Sequence, residues 1–512
     1  MRRLLIVLFS LGLAAGCVST SDSTETTVEP LETTSTTSRS QRTTEEPIDA
    51  SGSTSVPSAS GESDPRFASL DPGDPGGDAM GLAAARELGS IGDPTFPGLG
   101  NSGYDVQTYA INLDLTRPEL VAETTVTLTA LAELDSFHLD LVGLTIDEIR
   151  IDDEPALFMR DGREVIIRPP EPIESGQTVA VLVAYHGTPE PIADQDLPFN
   201  LGFQTQSWGT FVASEPVGAA TWFPANDHPQ DKALFTITIS VPEGTTTAGP
   251  GQRTSSTTAE GVTTETWIAA DPMSTYLASV ATGAFDVSIE TLDSGLVIRH
   301  AVHADAAIAT GTELDTTVEM IAAFEERFGP YPFESYGILV VPEQLGFALE
   351  NQTLSLFGTD IMTSPAAQPI LAHELAHQWF GDNVSPAAWD DIWLNEGFAT
   401  WAEWWWTERI TGTNNVNTAR FIPLEPLKGL PASGLFEINV YWRGGLTLEA
   451  LRRDVGDEIF GQILREWSNR YGGGVASTQN FLDLVEELSG AGAADLVSQW
   501  IFAPTMPVLA DE

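Results

Sequence analysis

Along residues 101 to about 300, apolar and polar side chains alternate. Tyr109, Ile111, Leu113 and Leu115 are interleaved with Ala110, Asn112 and Asp114, and Val126, Leu128 and Ala130 with threonines. Val179, Val181, Val183 and Tyr185 repeat the pattern, as do Phe235, Ile237, Ile239 and Val241. Successive side chains of a strand point to opposite faces, so a period of two broken by Gly, Pro and Asp turns predicts half-buried antiparallel strands. Beyond about residue 303 the period lengthens. Val318, Ile321, Ala322 and Phe324 fall on one helical face in a stretch that stops at Gly329. "YGILVV" predicts a short strand, and "AAQPILAHELAHQWFG" a helix running to Gly381. "EGFATWAEWWWTERI", "YWRGGLTLEALRRDVG" and "TQNFLDLVEELSG" predict further helices. The expected fold class is α+β and multidomain: an all-β sandwich or saddle over 101–302, then a mostly α-helical domain with a small sheet over 303–512. No internal repeat is present.

The start of the chain reads differently. Two arginines precede the apolar run Leu4 to Ala15, and small residues lead to Cys17. Residues 1–16 read as a secretory signal, since the apolar run is too short to span a bilayer comfortably. Cys17 is the only cysteine, so no intramolecular disulfide is possible. A lone cysteine directly after such a run resembles the bacterial lipobox, although Ala14 stands where a leucine is usual and Leu13 is one place further out. Acyl chains on Cys17 would anchor the protein to a membrane leaflet outside the cytoplasm; plain secretion is the alternative. Residues 17–100 are expected to be a Ser/Thr/Glu/Pro-rich tether followed by loop, with one short helix in "AMGLAAARELGSI".

Composition narrows the function classes. The chain has 512 residues, enough for two or three cored domains, and 42% apolar residues, a globular share. Its formal net charge of −50 repels nucleic acid and argues against a role on an anionic membrane surface. Lys232 and Lys428 are the only lysines. Such a surface suits high salt, where self-repulsion is screened, and equally an ordinary secreted protein with GC-rich codons.

Chemistry concentrates between Leu371 and Phe398. His373-Glu374-Leu375-Ala376-His377 places two imidazoles at i and i+4, on one helical face where both reach one ion. Glu374 lies about 100° round the helix, beside the metal, where a base for the attacking water belongs. Eighteen residues after His377 comes Glu396, in "DIWLNEGF". A carboxylate on a facing helix completes a His₂Glu set with one open position, the arrangement of a catalytic zinc and not of a structural one. The alternative for Glu396 is a solvated acid at a helix start.

His-Glu-x-x-His, eighteen residues, then Asn-Glu-Gly resembles the gluzincin metallopeptidases, and within them the M1 aminopeptidases. "GFALENQT" (346–353) is similar to that family's G-A-M-E-N segment, read as Phe347-Ala348-Leu349-Glu350-Asn351. "VYWRGGLTLEALR" resembles its Y-x-K-G helix, with Tyr441 in the tyrosine position. "SEPVGAATWFPANDHPQDKALFTITI" resembles a segment of its β domain, with Glu215 in the glutamate position, and "FGPYPF" resembles the entry to its catalytic domain. The resemblance covers roughly 101–512 and implies a thermolysin-like catalytic domain. Three positions depart from the pattern: Phe347 replaces glycine, Arg443 replaces lysine, and Ala213 stands where glutamine is frequent.

The resemblance implies one Zn²⁺ per chain on His373, His377 and Glu396, Glu374 as general base, and Tyr441 as hydrogen-bond donor to the tetrahedral oxyanion. It implies that Glu350 and Glu215 hold the free ammonium of a peptide substrate. Asn351 belongs to the same substrate-binding segment, and the main chain of Ala348 and Leu349 aligns the peptide as a strand. Thr400 and Glu403 share a helical face with Glu396, and one of them is expected to support a zinc histidine. Asp390, Asp391 and His228 read as structural, and Trp404, Trp405 and Trp406 as core and groove wall. The competing functions are a thermolysin-type endopeptidase, to which Glu215 and Glu350 would be dispensable, and a non-catalytic surface binding protein.

Overall fold

Alternation becomes sheet because each strand has one face to bury. In the computed structural model, which describes residues 89–193, 200–306, 308 and 314–510, Tyr109, Ile111, Leu113, Val126, Leu128, Val181, Val183 and Tyr185 are all buried. The signal, Cys17, the tether and residues 79–88 of the expected short helix lie outside the described residues. Eight strands form the main sheet, in the order Gln252–Ala259, Val262–Met273, Ala233–Pro242, Tyr104–Asp114, Leu120–Ala130, Thr178–Gly187, Thr145–Ile151, Glu154–Pro155. One pairing departs from the antiparallel expectation. Tyr104–Asp114 runs parallel to Ala233–Pro242, with Thr108 opposite Leu234 and Asp114 opposite Ser240. Periodicity reports which face is buried and is silent on strand direction. A five-stranded sheet includes Asn200–Gln206 and Gly209–Ala213, and a three-stranded sheet is built on Phe137–Asp140.

Two boundaries move. Residues 89–100 hold no helix and no strand beyond an isolated bridge, yet they are packed. Asp93 Oδ1 accepts from the amides of Thr95 and Phe96, and its Oδ2 pairs with His228 and accepts from the amide of Trp389. The folded body therefore begins before residue 101, and His228 is structural as expected. The strands Phe285–Thr291 and Val297–His303 pair with each other antiparallel, and Val297–His303 pairs in parallel with Ile338–Val341. They belong to the six-stranded sheet that also holds Ser335–Tyr336, Ser355–Gly358 and Ala348–Leu349. The division expected at 302 thus falls inside that sheet, because a strand pattern does not say which sheet the strand joins.

Among its described residues the second half contains seven long helices: α1 (Thr317–Phe328), α2 (Ala367–His377), α3 (Trp393–Thr411), α4 (Ile438–Val455), α5 (Asp457–Tyr471), α6 (Thr478–Ser489) and α7 (Ala491–Phe502). The buried face of α1 carries Met320, Ile321, Ala323 and Phe324, while Ala322 is exposed, so the expected face is rotated. Helix α2 ends at His377, and the chain then turns through Gly381, whose φ of 128° favours glycine. Helix α3 packs against both α2 and α4. Its approach to α4 is set by glycines: a Cβ on Gly397 would lie 2.7 Å from the Cα of Gly444. Trp404 and Trp406 are buried, as expected of core.

Candidate active site

Helix geometry brings the first two groups together and α3 supplies the third. His373 Nε2 lies 3.1 Å and His377 Nε2 3.5 Å from the same Glu396 Oε2. Ligands sharing a tetrahedral zinc at about 2.1 Å stand roughly 3.4 Å apart, so this spacing fits one ion. All three side chains are buried. Their outer contacts are fixed as well. His377 donates from Nδ1 to the carbonyl of Phe380 (3.1 Å), and His373 Nδ1 faces Glu403 Oε2 at 3.5 Å. Of the two candidates expected to support a histidine, Glu403 does so; the hydroxyl of Thr400 is buried with no hydrogen-bond partner among the described residues.

Glu374 lies beside this trio and is also buried. Burial pushes its pKa up to about 8, with Glu350 and Glu396 adding to the push and His373 and His377 opposing it. Burial alone would raise Glu396 too, but His377 and His373 outweigh it and hold that carboxyl down at about 2. Tyr441 on α4 stacks on His373 with ring centroids 5.8 Å apart. Burial and the surrounding carboxylates, Glu396 first among them, raise its phenol well above 10, so it keeps its proton as a donor.

A second group converges from other elements. One oxygen each of Glu215, Glu350 and Glu396 lies within 4.8 Å of the others. Glu215 follows the strand Gly209–Ala213, in a turn closed by Gly218, where a Cβ would come within 2.6 Å of the Gly202 nitrogen. Oε1 of Glu215 and Oε1 of Glu350 are both buried with no hydrogen-bond partner among the described residues. Burial, and for Glu215 the nearby Glu350, pushes both carboxyls above their usual range. An unpaired buried carboxylate is costly, so a pocket of this kind calls for a cation.

The segment that carries Glu350 is held by a residue the sequence did not single out. Gln378, directly after His377, donates to the carbonyl of Glu350 and accepts from the amide of Thr353, both at 2.8 Å. Ala348–Leu349 is the edge strand of its sheet, paired on one side with Ser355–Gly358. Its other edge has no strand partner among the described residues. The side-chain nitrogen of Asn351 is buried with no hydrogen-bond partner among the described residues. Phe347 does not stand free: it joins a buried apolar cluster with Leu349, Phe211 and Ala213. Arg443 turns away from the site. It is fully buried and donates to the carbonyls of Trp500, Leu424 and Ala503, clasping the end of α7. Asp390 and Asp391 pair with Lys428, as structural residues.

Two family models match this architecture in order. The Peptidase M1 N-terminal domain matches residues 104–277, and the Peptidase family M1 domain matches residues 312–500. The chain belongs to peptidase family M1. A solved M1 zinc metallopeptidase from Deinococcus radiodurans is 33% identical, with a TM-score of 0.77 over 82% of this chain and 99% of that one. A variant of a Deinococcus radiodurans M1 zinc metallopeptidase, solved with a bound Tyr-Ser-Ala substrate, is 32% identical at the same TM-score, over 83% of this chain. Aminopeptidase N of Lactococcus lactis subsp. lactis is 25% identical over 441 residues, 79% of this chain and 52% of that protein. Aminopeptidase M1-D of Oryza sativa subsp. japonica is 27% identical over 323 residues, 58% of this chain and 37% of that protein. The M1 chain thus spans about a third to a half of the length of these curated relatives, and the full length of the Deinococcus structure.

Proposed function

We propose that this M1 chain is a zinc-dependent aminopeptidase that removes N-terminal residues from peptides. The observation that carries the reading is that Glu215 and Glu350, next to the His373–His377–Glu396 set, each have a buried carboxylate oxygen with no hydrogen-bond partner among the described residues. A free peptide ammonium placed between them gains charge-assisted hydrogen bonds, and a blocked terminus leaves both carboxylates desolvated and unpaired. Related M1 structures that hold a tripeptide, L-tryptophan and L-arginine support peptide substrates. One zinc per chain is proposed, on His373, His377 and Glu396. When bound, zinc supplies a Lewis acid that polarises the scissile carbonyl and acidifies water.

The chain's own residues do the rest. Glu374 takes the proton of the attacking water and delivers it to the leaving amine. The phenol of Tyr441 donates to the oxyanion as charge develops there. Glu215 and Glu350 fix the ammonium and so set how far along the peptide cleavage falls. The edge of Ala348–Leu349, with Asn351 beyond it, aligns the peptide main chain. Residues 1–16 as a signal and Cys17 as a lipid-bearing residue rest on the sequence pattern, and the proposed location is outside the cytoplasm on a lipid anchor.

Matched peptides with free and N-acetylated termini, assayed with and without chelator, test this. Chelator is expected to abolish cleavage. Free termini are expected to be preferred by at least about 100-fold, as the loss of a buried charge pair requires, and Glu215→Gln to erase most of that preference through KM. Blocked peptides cut as well as free ones would favour an endopeptidase. Full activity in Glu374→Ala would remove the base assignment.

A further inference from the structure

Basic residues number 23, and only two are lysines. Both act on one segment, the connection 378–392 between α2 and α3, the two helices that carry His373, His377 and Glu396. Lys428 binds the carboxylates of Asp390 and Asp391 at the far end. Lys232 reaches the near end from the β-rich domain, where it directly precedes the strand Ala233–Pro242. Its Nζ donates to the main-chain carbonyls of Asp382 (2.6 Å), Asn383 (3.0 Å) and Gly474 (3.4 Å). This is not a conventional ion pair, because neither carboxylate oxygen of the buried Asp382 has a hydrogen-bond partner among the described residues. Burial pulls the pKa of Lys232 down to about 7, while Asp382 and Asp271 pull the other way. Three acceptors converging on one nitrogen match an ammonium with its three N–H groups; the planar fork of arginine, the basic residue used almost everywhere else in the chain, does not.

Two of the three cradled carbonyls, those of Asp382 and Asn383, belong to the turn on which the second imidazole rests. His377 donates to the carbonyl of Phe380, and the amide of Asp382 returns to the carbonyl of His377 at 3.0 Å. Other groups of the β-rich domain hold the same turn: the Tyr276 hydroxyl donates to the carbonyl of Gly381 (3.4 Å), and Ser274 meets Ser385 (3.1 Å). Lys232 is the only one of these with a charge.

We propose that Lys232 is a positioning residue for the metal centre: its ammonium fills a three-carbonyl cation site and so fixes the 380–383 turn that orients His377. The inference rests on His377 being a metal ligand. Groups outside the ligand set that orient a metal histidine commonly contribute about 10- to 100-fold in metal affinity.

The test uses the full chain and reads zinc affinity by competition with a chromophoric chelator, alongside kcat and KM. Lys232→Met keeps the bulk of the side chain; it is expected to be folded at 25 °C by circular dichroism and to bind zinc at least about 10-fold more weakly. Lys232→Ala removes a propylammonium equivalent, so added n-propylammonium is expected to restore its zinc affinity, whereas n-propanol is not. Lys232→Arg is expected to behave like the Met variant. Wild-type zinc affinity in the folded Lys232→Met protein overturns the proposal. Equal rescue of Lys232→Ala by propanol and propylammonium also overturns it, since space-filling and not charge would then be what the site needs. If Lys232→Ala does not fold, the Met and Arg variants decide. His377→Ala serves as the control for the site itself: undiminished zinc binding there would sink the metal-centre reading on which the role of Lys232 rests, whereas lost binding there with wild-type affinity in Lys232→Met overturns the role of Lys232 alone.

Discussion

The imidazole of His373 is gripped from two directions. Glu396 faces Nε2 on the metal side and Glu403 faces Nδ1 on the other, one from the first turn of α3 and one from two turns further along. A carboxylate on Nδ1 fixes the tautomer that leaves Nε2 free for a metal and raises its basicity. Glu403→Gln keeps the shape and loses the charge, so zinc affinity is expected to fall about 10- to 100-fold while the fold is retained; an unchanged dissociation constant in a chelator titration would refute the role. His373 and His377 were legible in the sequence because helical spacing puts them on one face, with Glu374 beside them, and Glu396 because a carboxylate follows at a set distance on the next helix. Gln378 was not, because a glutamine after a histidine carries no pattern; its role depends on the Glu350 segment arriving from elsewhere in the chain.

Glycine decides the geometry at the scale of helices. Gly397 and Gly444 bring the backbones of α3 and α4 into contact, one residue beyond Glu396 on the first helix and three beyond Tyr441 on the second. The contact sets the distance between ligand and phenol. Gly444→Ala would place a methyl 2.6 Å from the Cα of Gly397, so the helices must part. A loss of about 1–3 kcal/mol in unfolding free energy is expected. A larger fall in kcat than in zinc affinity should accompany it, read from urea unfolding and steady-state kinetics; unchanged stability and kcat would show that the contact is not limiting. The helices themselves followed from period and from glycine stops. The family position of Arg443 did not foretell its role, since its three carbonyl partners lie in Leu424, Trp500 and Ala503, distant in sequence.

At the scale of the whole molecule, charge is the outstanding quantity. A net charge of −50 repels itself in the folded state, and added salt shortens the range of that repulsion. The melting temperature is therefore expected to rise between about 0.05 and 1 M NaCl, most steeply at the low end where the Debye length shrinks fastest. A flat or falling curve in scanning calorimetry would contradict this. The charge is not evenly distributed: Glu215, Glu350, Glu374, Glu396 and Asp382 are all buried around one site, so metal binding is expected to add stability as well as reactivity.

The sequence by itself determined the order of the two domains; it marked the candidate metal ligands and base by local spacing, and the candidate exopeptidase segment by its resemblance to a short family motif. Only the tertiary structure decided the parallel pairing of the first strand, the sheet to which residues 285–303 belong, and the choice of Glu403 over Thr400. It also decided the inward turn of Phe347 and the outward turn of Arg443, and the use of both lysines on one connection. These depend on which surfaces meet, and a one-dimensional pattern of apolar and polar residues records that a face is buried without recording against what.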